Sequence, residues 1–116
     1  MALYEDLKVD QGADAKFKIS MYDENGSTRD LTDYIARGKL NRSHGADSSE
    51  AVSFLVNIDV PPTSGSITFS LTNSQTDLLT RRRYVYDIEV QYEEDSATIV
   101  ERVLEGKLLV SPSVTK

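Results

Sequence analysis

The run Arg83-Tyr84-Val85-Tyr86-Asp87-Ile88-Glu89-Val90-Gln91-Tyr92 decides the fold class. Tyr84, Tyr86, Ile88, Val90 and Tyr92 recur at every second position, with Val85, Asp87, Glu89 and Gln91 between them. A period of two is that of a strand with one buried and one wetter face. Tyrosine, isoleucine and valine are also the residues that fit a pleated, half-buried surface.

The same period extends outward in both directions. Upstream, Ile67, Phe69 and Leu71 alternate with Ser66, Thr68 and Ser70, and Val52, Phe54, Val56 and Ile58 share one side of the run from Ala51 to Val60. Pro61-Pro62 stops that run, because neither proline donates a ladder hydrogen bond. Tyr34 to Arg42 sets Ala36, Gly38 and Leu40 against Arg37, Lys39 and Asn41, and Asp14 to Tyr22 sets Ala15, Phe17, Ile19 and Met21 against Lys16, Lys18 and Ser20. Asn25-Gly26 follows as a tight turn, since both residues tolerate positive φ. Ser43 to Glu50 is a polar surface loop, and Thr72 or Asn73 caps a single helical turn before Leu78-Leu79. Downstream, polar Glu93 to Ala97 predicts a hairpin into a strand from Thr98 to Glu105. Gly106 then reads as a bulge before a last strand, Lys107 to Val110, which ends ahead of Pro112.

About seven to eight short strands with regular turn signals predict an all-β chain, an antiparallel β-sandwich of immunoglobulin-like or jelly-roll-like type, with less than about 10% helix. An antibody-type domain is excluded, because the chain holds no cysteine and no tryptophan. Its 116 residues suit one domain, residues 1–116, with residues 1–11 forming either a first strand or a docking arm through Leu3 and Tyr4.

Hydrophobic residues make up 39% and charged residues 28%, enough apolar surface for one core. With 13 basic and 19 acidic side chains the formal charge is −6 and the pI about 4.7, which disfavours direct nucleic-acid binding. No apolar run approaches the length of a membrane span, and Glu5, Asp6 and Asp10 interrupt the amino-terminal stretch where a signal peptide needs an apolar core. Without cysteine, thiolate metal sites and cysteine nucleophiles are excluded.

The remaining chemistry is sparse. His44, the one histidine, sits in a polar loop without a nucleophile elbow nearby and reads as solvated rather than catalytic. Asp23-Glu24-Asn25-Gly26 begins like a calcium loop, but its glycine comes early and Tyr34 falls where the late bidentate acid belongs. No cofactor or metal is expected. Asp87, if buried, needs a partner such as Arg37 or Arg42. Arg81, Arg82 and Arg83 form the basic cluster of an acidic chain. Adjacent strand residues point to opposite faces, so Glu101 or Glu105 pairs with one of them while another is left for a partner. Outward-facing Val85, Leu55 and Ile99 are further candidates for covering a partner.

Several segments carry a resemblance when taken in order: Asp30 to Tyr34, Ala36 to Arg42, Thr68 to Leu71 with Thr76, Tyr84 to Val90, and Arg102 to Thr115. Together they resemble small virion structural proteins of tailed bacteriophages, which are compact β-sandwich modules of tail, baseplate or fibre. Glu93 to Ala97 lacks the glycine more usual in that family's turn. The resemblance implies a non-enzymatic adaptor in the virion, contacting other virion proteins in symmetric, homo-oligomeric copies. A capsid decoration (cement) protein and a carbohydrate-binding module are the alternatives.

Overall fold

The computed structural model describes residues 3–114, and places 54% of residues in strands and 9% in helices. The strands are β1 (Leu3–Tyr4), β2 (Leu7–Asp10), β3 (Ala15–Ser20), β4 (Ile35–Asn41), β5 (Val52–Ser53), β6 (Leu55–Ile58), β7 (Ser66–Leu71), β8 (Arg83–Glu94) and β9 (Ala97–Ser111). A short helix, α1 (Asn73–Asp77), joins β7 to the approach of β8. The larger sheet runs β1-β9-β8-β4-β5, with β2 also on β9, and the smaller runs β3-β7-β6. Two sheets sharing one core make a β-sandwich.

The tyrosine stripe builds that core. Tyr84, Tyr86, Ile88 and Val90 are buried on the inner face of β8, opposite Ile67, Phe69 and Leu71 of β7. Phe54 sits between them edge-on to both Phe69 and Tyr86, with centroids 5.3 and 6.1 Å away. Its amide donates to the Gly38 carbonyl at 2.9 Å. Here the single alternating run from Ala51 to Val60 leaves the larger sheet as β5 and joins the smaller as β6.

The helical turn is held at both ends. Thr72 and Gln75 form a capping box. Fully buried Thr76 donates to the Ala13 carbonyl at 2.8 Å and accepts from the Gly12 amide at 3.1 Å.

Four expectations need correction. First, the sandwich is not wholly antiparallel, since β1 and β2 run parallel to β9. Segments so far apart in sequence as Leu3 and Leu104 are free of the hairpin constraint that fixes antiparallel order. The choice between strand and arm is thereby resolved for Leu3 to Asp10, which pair within the sheet; Met1 and Ala2 lie outside the described residues. Second, there are nine strands, because two of the alternating runs each divide while the two carboxy-terminal ones fuse into β9.

Third, Gly106 is no bulge: it pairs squarely with Tyr86, and the irregularity falls between Ile88 and Glu89, where β9 has Val103 as an extra residue. The glycine answers a different demand. A Cβ there would lie 2.1 Å from the Glu5 carbonyl oxygen, so β1–β2 can approach only because residue 106 has no side chain. Tyr86 crosses the gap and donates its hydroxyl hydrogen to that same oxygen at 2.6 Å. Fourth, the bulge turns Ile99 inward beside Tyr92. Leu55 stays outward and exposed, and Val85 is half-buried.

Candidate functional site

Two clusters stand at opposite ends of β8. At its start, Arg81, Arg82 and Arg83 are all exposed. The acids that the sequence offers as their partners lie farther along β9 and are engaged there: Glu101 with Arg29 at 3.0 Å, and Glu105 with Arg102 at 3.7 Å. Among the described residues no side chain bonds to any of the three guanidinium groups. Their backbone is nonetheless fixed, because the Arg81 amide donates to the Tyr84 hydroxyl at 3.2 Å. The Arg82 carbonyl accepts from Val110 at 2.8 Å. The structure therefore displays three cations on a rigid support.

At the far end of β8 lies a cleft of about 550 Å³. Its inner wall is Arg29, which makes a bidentate pair with Glu101 (Nη2 to Oε1 3.0 Å, Nη1 to Oε2 3.2 Å) and donates to the Tyr34 hydroxyl at 3.1 Å. Tyr34 and Tyr92 stack with centroids 4.5 Å apart, and the guanidinium carbon lies 5.4 and 5.5 Å from their rings. Arg29 holds the Glu101 carboxyl below its ordinary range, against the opposing pull of burial. Glu101 in turn raises the arginine further. The outer wall is the turn after Tyr22, in which Asp23 Oδ1 accepts the amides of Asn25 and Ser27 at 2.9 and 3.0 Å. Gly26 takes φ 83°, as the Asn-Gly dipeptide predicts, and Asp23 serves the turn. Tyr22 is 60% exposed, and the carboxylates of Glu24 and Glu94 on the rim have no bonding partner among the described residues.

Leu3 and Tyr4 are each 63% exposed on the edge strand, where they pair with Leu104 and Glu105. Arg83 pairs with Leu109, so about 17 Å of β9 separates these residues from the arginines at roughly 3.3 Å per residue. The structure does not gather the candidate residues into one patch.

The outer face of the larger sheet is a lattice of charges. Arg37 pairs with Glu89 at 3.3 Å, and Arg102 bridges Asp87 at 3.5 Å and Glu105 at 3.7 Å. The partner of Asp87 is thus Arg102, rather than Arg37 or Arg42, because Arg42 is taken by Glu50 at 3.0 Å. Burial pushes the Asp87 carboxyl up, with Arg102 opposing and Glu89 and Glu105 adding to the rise. His44 is exposed in its loop, as the sequence predicts.

Sequence reasoning reached the arginines but missed the cleft. Arg29 lies in a loop, and Glu101 reads as surface charge unless the bulge is known. The available signal was the adjacent apolar pair Val103-Leu104, which breaks the period of two. No protein-family model matches the chain, and no curated protein matches it in sequence.

Proposed function

We propose that this chain is a non-enzymatic structural module of a tailed-bacteriophage virion, an adaptor in the tail, baseplate or fibre that joins neighbouring proteins. The segments resembling that family supply the class. The observation that carries the interface is the display of Arg81, Arg82 and Arg83, exposed, unpaired by side chains and fixed by backbone hydrogen bonds. Guanidinium groups carried on a fixed backbone suit an acidic protein surface, to which they make bidentate, charge-assisted bonds. Leu3 and Tyr4 on the edge strand offer a second, apolar contact.

Replacing all three arginines with alanine is expected to leave the melting temperature near that of the parent, because exposed charges contribute about 0 to 1 kcal/mol each. Incorporation into particles, measured by quantitative mass spectrometry of purified virions, is expected to fall. Normal incorporation overturns the arginine interface, and absence of the parent chain from virions overturns the virion reading. Cryo-electron microscopy of the same particles separates a tail or baseplate position from that of a capsid decoration protein.

A further inference from the structure

The two ends of the sandwich carry complementary chemistry that a single copy cannot bring together. Arg83 opens β8, and Tyr92 and Glu94, which line the cleft, close it. Nine residues of extended strand hold them about 30 Å apart at roughly 3.3 Å per residue. One end presents three guanidinium groups without side-chain partners among the described residues. The other presents a cleft of about 550 Å³ whose rim carries the unpaired carboxylates of Glu24 and Glu94 and the exposed ring of Tyr22. Aromatic faces beside carboxylates make a receptor for arginine, which stacks on the ring and forks its donors to the acid. The cleft already shows that chemistry within the chain, where Arg29 packs by Tyr34 and Tyr92 and pairs with Glu101.

We propose that the cleft at the Tyr92 end receives the Arg81–Arg83 segment of a second copy of this chain, so that copies associate head to tail. The interface is heterologous: each copy offers a different patch on either side, and repetition gives a ring if the rotation closes and a file of molecules if it does not. The inference rests on the reading of the arginines as an interface and names their partner.

The test uses the full chain and two one-sided variants. The first carries Arg81→Ser, Arg82→Ser and Arg83→Ser; the second carries Tyr22→Ser, Glu24→Gln and Glu94→Gln. All six side chains are exposed, and circular dichroism checks that both variants are folded. In sedimentation velocity the parent is expected to associate with rising concentration at ~50 mM salt and to return to monomer near ~0.5 M, as screening of exposed charges requires. Each variant alone is expected to weaken association at least about tenfold, one lost charge-assisted contact being worth about that much. Mixed one to one, the variants retain one intact cleft and one intact arginine cluster, so they are expected to form a one-to-one pair and nothing larger.

A parent that stays monomeric at low salt, a variant that associates like the parent, or a mixture that does not pair overturns the inference. If the parent is monomeric yet the arginine variant is lost from particles, the arginines serve a different virion protein and only this inference falls. If association follows the expected pattern while the parent chain is absent from purified virions, the virion reading falls instead.

Discussion

Gly106→Ala is the sharpest test of how the amino-terminal strands are held. The new methyl carbon would stand 2.1 Å from the Glu5 carbonyl oxygen and 2.7 Å from its carbon. The closest comfortable approach of carbon to carbonyl oxygen is about 3.3 Å, so the strands must part by about 1.2 Å. Three hydrogen bonds span that gap: Glu5 N to Glu105 O at 2.9 Å, Tyr86 Oη to Glu5 O at 2.6 Å and Lys107 N to Asp6 Oδ1 at 3.2 Å. At about 1 kcal/mol net for each, with some loosening of the buried Leu7 and Val9 side chains, the expected loss is about 2–4 kcal/mol. For a chain near this size that lowers the melting temperature by roughly 8–16 °C. Equilibrium urea unfolding gives the free energy, and amide hydrogen exchange across Leu7 to Asp10 locates the damage. Gly45→Ala is the control: its Cβ would meet nothing within 4 Å, and the change is expected to stay within about 0.5 kcal/mol. A Gly106→Ala protein within that same margin, with its Leu7 to Asp10 amides still protected, refutes the steric account.

Asp95 and Ser96 form the two-residue β8–β9 turn at φ 50° and 67°, the signs a type I′ hairpin requires. Ser96→Gly is therefore expected to raise stability by about 0.5–1 kcal/mol, read as a higher urea midpoint. Thr76→Val leaves the Gly12 amide and the Ala13 carbonyl without their partner, and a loss of about 1–3 kcal/mol is expected in the same assay. Glu101 and Asp87 are expected to respond to pH with opposite signs. The lowered Glu101 carboxyl adds stability above its ordinary 4.5 that disappears as pH falls through the folded value, so Glu101→Gln destabilises at pH 7 and progressively less on acidification. The raised Asp87 carboxyl loses stability as pH climbs from 3.8 through its folded value, so Asp87→Asn gains on the parent over that climb. Melting temperatures from pH 3 to 7 check both signs.

The fold was legible wherever one alternating run stays on one sheet. Ala15, Phe17 and Ile19 face the core with Lys16 and Lys18 outside, and the stripe from Tyr84 to Tyr92 behaves as its period requires. Where a run serves two sheets, the period survives but the pairing does not show. Val52, Phe54, Val56 and Ile58 keep to one side throughout, because a strand can change partners without rotating its side chains. Gly38 lies under the transfer at Phe54, and a Cβ there would fall 2.3 Å from Ile88 Cδ1 and 3.3 Å from Phe54 Cδ2. Gly38 also continues the apolar face of its own strand, so its sequence position alone does not mark that transfer. The direction of β1 and β2 was hidden for another reason: a parallel pair between segments distant in sequence leaves no local turn signal.

The candidate cleft depends on a single inserted residue. In an unbroken strand Glu101, Val103 and Glu105 share one face and Arg102 and Leu104 the other. Val103, bulged opposite the Ile88–Glu89 step, resets the alternation. Glu101 then pairs across from inward-facing Val90, and Arg102 and Glu105 come together on the outer face. Both charged arrangements follow from that reset, since Glu101 meets Arg29 only on the inner side and Arg102 reaches Asp87 and Glu105 only on the outer. The bulge also separates the two ends of the molecule chemically. By drawing Glu101 inward to Arg29, and Arg102 outward to Glu105, it engages the two acids of β9 that the sequence offers to the arginine cluster. Neither acid is within reach of Arg81, Arg82 and Arg83 in any case, because the hairpin register pairs Arg83 with Leu109, four residues beyond Glu105 and eight beyond Glu101.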